Sequence, residues 1–322
     1  MAAKLDSQWI VRVPGEDEWA SALALALAHM SQEERVRLVE RITAQARNDT
    51  SVRSGLHAAF HQGRLHGAML AQLQSGRSAV CWLPQLTTGV GPAVALALME
   101  ATNAWLDASG VAMAQIMADV VEAEVDSAIG AGGFRHLADL LYLVCAAEHF
   151  PAEPPPTALS FQMQSASTYA QLVQVIESTY EATRDCPQMN GWRSTADVLA
   201  GYRATGEYDA SLWLIAEHQG RGVGCLILAR HSELECLELV YMGVVPAARG
   251  WGFGLDLTRR ALWEAKLRGL TRLVLAVDAD NAPAMRIYTS LGFRAWDRRR
   301  VYVRLGPPAV RSVDAGPSDG RL

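Results

Sequence analysis

Between Ala146 and Pro156 the chain reads AAEHFPAEPPP. Proline lacks the N–H that helices and central strands require, so four of them in eleven positions make an extended connection. That break lies near the middle of 322 residues, a length of about two ordinary domains. The expected organisation is a first unit at 1–147, a linker at 148–157 and a second unit at 158–305. From Gly306 on, GPPAVRSVDAGPSDGRL has no apolar period and reads as a frayed tail at 306–322.

Composition narrows the class. Half of the residues are hydrophobic and 20% are charged, enough apolar surface for true cores. A net charge of −5 gives no basic footprint, so neither nucleic acid nor an anionic membrane is an expected partner. Five cysteines, Cys81, Cys145, Cys186, Cys225 and Cys236, are dispersed without a C-x-x-C, the pattern of reduced core thiols. The start has no basic segment followed by an apolar run, and Ser21–Met30 is too short to span a bilayer. The expectation is a cytoplasmic protein, monomeric or homodimeric, without a metal.

In the second half, strand-like and helix-like patterns alternate. Ser211–Glu217 and Gly224–Ala229 flank a Gln219-Gly220-Arg221-Gly222 hairpin turn. Leu234–Val245 reads as a long strand and Leu255–Leu267 as an amphipathic helix. Leu273–Val277 has the continuous apolar run of a strand buried on both faces. A helix at Ala282–Leu291 closes at Gly292, and a last strand follows at Arg300–Arg304. The first half fits the same template. A shift of 159 positions lays Gly110 on Gly269 and Gly133-Phe134 on Gly292-Phe293, which points to an internal duplication. The fold class expected is therefore α/β, a mixed sheet flanked by helices in each of two tandem units.

Chemistry concentrates in two segments. In Val244–Gly254, VVPAARGWGFG, a strand ends, glycines recur at Gly250, Gly252 and Gly254, and a helix begins. Glycines there admit close approach of a ligand, and the free N–H groups of a helix start form an anion site. The spacing is neither a Rossmann fingerprint nor a P-loop. In Asp278–Phe293, DADNAPAMRIYTSLGF, Asn281 can cap the following helix or reach a ligand. Tyr288, two turns in, reads either as a core aromatic or as a proton donor to a leaving group.

Together these residues resemble the GNAT superfamily of acetyl-CoA-dependent N-acetyltransferases. The family's V-x-P followed by Q/R-x-x-G-x-G/A is matched by Val244-Val245-Pro246 and Arg249-Gly250-Trp251-Gly252-Phe253-Gly254. Its D-N-x-x-A-x-x-x-Y-x-x-x-G-F is matched by Asp280-Asn281, Ala284, Tyr288 and Gly292-Phe293. The likeness covers roughly residues 158–305, and the tandem arrangement is similar to mycothiol synthase-like proteins. It implies acetyl-CoA as co-substrate and a sheet that splays after its fourth strand. Pantetheine would pair with backbone at Met242, Val244 and Val245, and the amides of Arg249 to Gly254 would hold pyrophosphate. Asn281 would contact the pantetheine arm, a main-chain N–H near Val244 would face the oxyanion, and Tyr288 would protonate the departing thiolate. Glu238, six residues before Val244, would share its face in an unbulged strand and is the candidate general base, with Tyr241 and Glu217 as weaker ones.

The resulting expectation is transfer of acetyl from acetyl-CoA to a primary amine of a small molecule or peptide, by direct attack in a ternary complex. A non-catalytic CoA-binding sensor is the alternative. His57, His61 and His66 lack a fourth metal ligand, Asp280 is expected to order its loop, and Arg298–Arg300 reads as a solvated turn. In the first half, Pro92 removes an amide, Ile129 takes the place of Tyr288, and Glu122 that of Asn281. That half is expected to bind no acetyl-CoA productively.

Overall fold

The computed structural model describes residues 8–119, 123–189 and 191–306. Its first half runs β1 (Trp9–Arg12), α1 (Glu16–Ala26), α2 (Gln32–Ala46), α3 (Thr50–Ser54), β2 (Leu56–His61), β3 (Arg64–Gln74), β4 (Ser78–Cys81), β5 (Gln85–Leu86), α4 (Pro92–Ala108), β6 (Met113–Ala118), α5 (Ala123–Ala131) and β7 (Arg135–Ala146). The second runs β8 (Ser160–Met163), α6 (Tyr169–Tyr180), α7 (Thr195–Arg203), β9 (Trp213–His218), β10 (Arg221–His231), β11 (Cys236–Val244), α8 (Phe253–Leu267), β12 (Arg272–Asp278), α9 (Ala282–Ser290) and β13 (Arg294–Leu305). Glu122 and the tail beyond Gly306, both singled out above, lie outside the described residues.

Among the described residues the strands join into one mixed sheet, ordered β1-β2-β3-β4-β6-β13-β7-β12-β11-β10-β9-β8, with β5 on β3. The last strands of the halves are exchanged: β7 pairs with β12, and β13 pairs with β6. The predicted duplication is visible in register. Ile116 pairs with Tyr302, and Leu275 with Leu143, each partner displaced by 159 positions. A pseudo-twofold axis therefore passes between β13 and β7.

Continuous apolar sequence explains the centre of the second half. Cys225, Leu226, Ile227 and Leu228 in β10 are fully buried, because α6 covers one face and α8 the other. Thr179 of α6 meets Gly243 from one side, and Leu257 of α8 meets Gly224 from the other. The linker is pinned rather than free, since the Lys266 ammonium donates to the carbonyls of Pro151 and Ala152 at 2.7 and 3.0 Å.

Two readings need correction. Arg298–Arg300 is not a solvated turn, because the last strand starts six residues earlier than expected. Within it Arg298 and Arg300 bind Asp139 of the first half, and Arg299 binds Asp119 and Asp297. It is also Asp278, not Asp280, that orders the loop after β12. The buried Asp278 carboxylate accepts from the backbone N–H groups of Asp280 at 3.0 Å and Cys186 at 3.3 Å.

Candidate active site

The parallel pairing of β11 with β12 runs from Cys236–Leu239 to Arg272–Leu275 and then stops. β11 continues along β10 while β12 continues along β7. Beyond Leu239, the edge of β11 that faces β12 has no strand partner. A cavity of about 660 Å³ opens at this split, within the range of small-molecule sites.

Eight of the predicted cofactor residues line that cavity: Met242, Val244, Arg249, Gly250, Gly252, Phe253, Gly254 and Asn281. Val245 does not, and its N–H is already spent on the Val223 carbonyl at 3.0 Å. The Trp251 ring also points elsewhere, packing on His218 and Phe253 with centroids 5.9 and 6.0 Å apart.

The loop presents its backbone to the cavity. Among the described residues the N–H groups of Gly250, Trp251, Gly252, Phe253 and Gly254 have no backbone acceptor, as the first turn of a helix requires. Gly252 makes this geometry affordable, with φ +86° as the N-cap of α8. Gly254 serves packing, since a Cβ there would lie 3.1 Å from Ile287 of α9. Arg249 has a structural task the sequence did not reveal. Its guanidinium donates to the carbonyls of Val244, Thr179, Glu181 and Ala182 at 2.7–3.0 Å, tying the loop to the end of α6. The loop's amides are thereby held in place before any ligand arrives.

Asn281 caps α9 by accepting from the Ala284 N–H at 3.3 Å and lines the cavity with Asp185. Tyr288 is 5% exposed, and its helix neighbours Ala284 and Ile287 line the cavity. Its phenol makes no hydrogen bond among the described residues, and burial, with Asp185 nearby, pushes its pKa up. It stays protonated at neutral pH.

Glu238 is not on the face of Val244. The β10–β11 ladder steps from Ile227–Tyr241 to Leu228–Leu239, so Val240 is a bulged extra residue that reverses the alternation. Glu238 therefore shares a face with Tyr241 and Gly243, where His231 Nε2 lies 2.7 Å from its carboxylate. Tyr241 lines the cavity and is held by a 2.7 Å bond to Thr179 and by stacking on Tyr202. Glu217 is held by Gln162 and Gln171. Asp185 is the functional candidate that sequence reasoning missed. It lines the cavity and accepts from the Asp278 N–H at 3.2 Å. Burial of its carboxyl raises its pKa. The loop before α7 carries no motif to flag it.

The profile of the acetyltransferase (GNAT) family matches residues 176–293. Mycothiol acetyltransferases from Thermomonospora curvata and Acidothermus cellulolyticus are 36% and 45% identical over 35% and 39% of this chain. Those matches span 37% and 42% of the relatives' own length. The fold is similar to a GCN5-related N-acetyltransferase from Sphaerobacter thermophilus, with a TM-score of 0.62, 15% identity, and 94% of this chain and 98% of that one covered. A tandem GNAT protein from the clavulanic acid biosynthesis pathway gives a TM-score of 0.50 at 15% identity, covering 94% and 99%. The split strand pair and the glycine loop with its free amides both lie within the stretch that matches the GNAT family profile, and over that stretch the chain is similar to GNAT acetyltransferases.

Proposed function

We propose that the chain is an acetyl-CoA-dependent N-acetyltransferase acting on a primary amine of a small molecule or peptide. One observation carries this reading: among the described residues, five amides without a backbone acceptor lead into the unpaired edge of β11, in a unit whose Tyr288 phenol is buried without a hydrogen bond. That geometry fits a pyrophosphate followed by an extended amide-bearing arm and a thioester. The mycothiol acetyltransferase relatives favour the same chemistry.

In this reading the amides of Gly250–Gly254 hold the pyrophosphate, and the β11 edge at Met242–Val244 pairs with pantetheine, whose arm Asn281 contacts. Glu238, half-buried on the bulged face, takes a proton from the acceptor ammonium, directly or through water. The free amine attacks the thioester carbonyl, and a main-chain N–H of β11 steadies the oxygen as it gains charge. As the carbon–sulfur bond breaks, Tyr288 gives its phenolic proton to the sulfur, and the proton that the new amide nitrogen sheds restores the phenol. The products are the acetamide and CoA, and no acyl-enzyme is formed.

The test is an amine panel with acetyl-CoA, followed by thiol release. Glu238→Gln should lower kcat/KM by roughly 10²-fold, a usual general-base contribution, without weakening acetyl-CoA. Tight binding of acetyl-CoA with no transfer to any amine would sink the enzyme reading and leave a sensor.

A further inference from the structure

Two β-bulges aim side chains onto the sheet face that carries Glu238. Glu238 pairs with Val274, and Val274 with Val144, so by alternation Tyr142 shares that face. In β13 the ladder steps from Ala295–Leu143 to Asp297–Tyr142, which leaves Trp296 as the bulged residue. The Trp296 ring meets Tyr142 edge-to-face at 5.8 Å, and the Tyr142 hydroxyl donates to Met117 Sδ at 3.4 Å. Trp296 is 62% exposed and Met117 41%. Large apolar groups grouped on an open sheet face are unusual without a partner.

The pseudo-twofold axis shows what a filled version looks like. The counterparts of Trp296 and Tyr142 are Leu137 and Val301. Leu137 is also the extra residue of a bulge, between Val301–Ala138 and Tyr302–His136. Val301 is buried in a small core with Met113 and Val303, and Leu137 and Met189 both pack against that core. Met189 comes from the long connection between α6 and α7. The corresponding connection between α1 and α2 is residues 27–31; its His29 reaches the neighbourhood of Asp119 and Arg299, and Trp296 stays exposed. One side of the axis has its apolar cover built in, and the other lacks it. The missing element is an apolar group of about one side chain.

We infer that Trp296, Tyr142 and Met117 receive the aryl or other flat apolar part of the acceptor, so that the substrates are arylalkyl primary amines rather than wholly hydrophilic ones. This rests on the proposed transferase reading, in which Glu238 receives the amino group. Tyr142 stands two strands across and two residues along from Glu238, about 12 Å, so an amine borne several bonds from a ring can touch both. Arg299 at its rim is neutralised by Asp119 and Asp297.

Binding of 2-phenylethylamine and of ethanolamine to the CoA-saturated protein, by saturation-transfer NMR, tests this without turnover. The parent should prefer 2-phenylethylamine, and Trp296→Ala should weaken it about tenfold while leaving ethanolamine and CoA affinity within about twofold. Trp296→Phe should restore most of the loss. Because Trp296 is exposed, melting temperatures should stay close to the parent's. Equal affinity for both amines, or an unchanged preference in Trp296→Ala, overturns the inference. Selective binding with no acetyl transfer counts against the transferase reading and leaves the apolar subsite standing.

Discussion

The two halves have nearly the same backbone and different chemistry. The hairpin turns Gln62-Gly63 and Gln219-Gly220 match at 157 positions, with the same left-handed torsions. From there the fourth strands correspond residue by residue, as Ala71–Cys81 and Leu228–Leu239 form equivalent pairs. Both fourth strands bulge at the same place. In the second half the bulge leads to Met242, with an amide on an open edge. In the first half Pro84 stands there, and Leu83, Leu86 and Val90 pack onto the core. The helix that follows starts at Pro92 in one half and at Phe253 in the other, so one has a missing donor where the other has a free one. Ile129 and Tyr288 occupy the same position, both buried. Apolar pattern and turn glycines are enough to keep the fold. The site depends on a few unpaired donors that packing does not require, and these are what the first half lacks.

The largest effect should come from breaking the loop. Gly252→Val puts a β-branched residue at φ +86° and a side chain where a pyrophosphate would lie, so acetyl-CoA binding should be lost. Gly91→Val, at the equivalent helix start, has φ −78° and open space and should leave binding unchanged. Calorimetric titration of the parent should give one site per chain. A second site that persists in Gly252→Val would show that the first half is a working copy.

Next is the phenol. Tyr288→Phe keeps the packing against Phe293, whose ring lies 5.4 Å away, and removes a group used as the thiolate leaves. A loss of about 10²-fold in kcat with little change in acetyl-CoA affinity is expected. Its counterpart, Ile129→Val, should leave kcat alone and cost about 1 kcal/mol of stability. Should both variants keep full kcat, Tyr288 is a core aromatic like Ile129.

Much of this was legible in the sequence, and the reasons differ by feature. The glycine loop and the Asp280-to-Phe293 motif were readable because turn geometry and cap chemistry are local. The duplication showed because glycines with positive φ are fixed by backbone need. The face of Glu238 was not readable, since a bulge at Val240 reverses the alternation and Val240 looks like any strand residue. The strand exchange was hidden because β7 and β13 have the same apolar pattern whichever half they join. Arg298–Arg300 looked solvated because its partners, Asp119 and Asp139, lie about 160–180 positions earlier. Long-range pairing leaves no local mark.

The last comparison concerns stability alone, with activity at pH 7 untouched, and returns to the paired cores. His57 is 6% exposed, and its Nδ1 lies 3.3 Å from Thr102 Oγ1, with the Trp105 ring 6.3 Å away. Counting from the hairpin turn and along the helix, the second half has Leu214 and Ala261 at these positions, both buried. Burial pushes the His57 pKa down from 6.5 to about 4. Between those values the unfolded chain takes up a proton that the folded chain refuses, so stability falls as the pH drops through that window. The loss amounts to about 3 kcal/mol by pH 4. His29, also held low by burial, adds to the loss with the same sign. Replacing both members of the pair, as His57→Leu with Thr102→Ala, copies the second half and leaves no polar atom stranded. Urea unfolding at pH 7 and pH 4 should show the double variant near the parent at pH 7 and more stable by about 3 kcal/mol at pH 4. Because β7 and β13 are exchanged, a single transition is expected to carry the change. If the double variant loses stability at pH 4 as steeply as the parent, His57 is not the group that titrates.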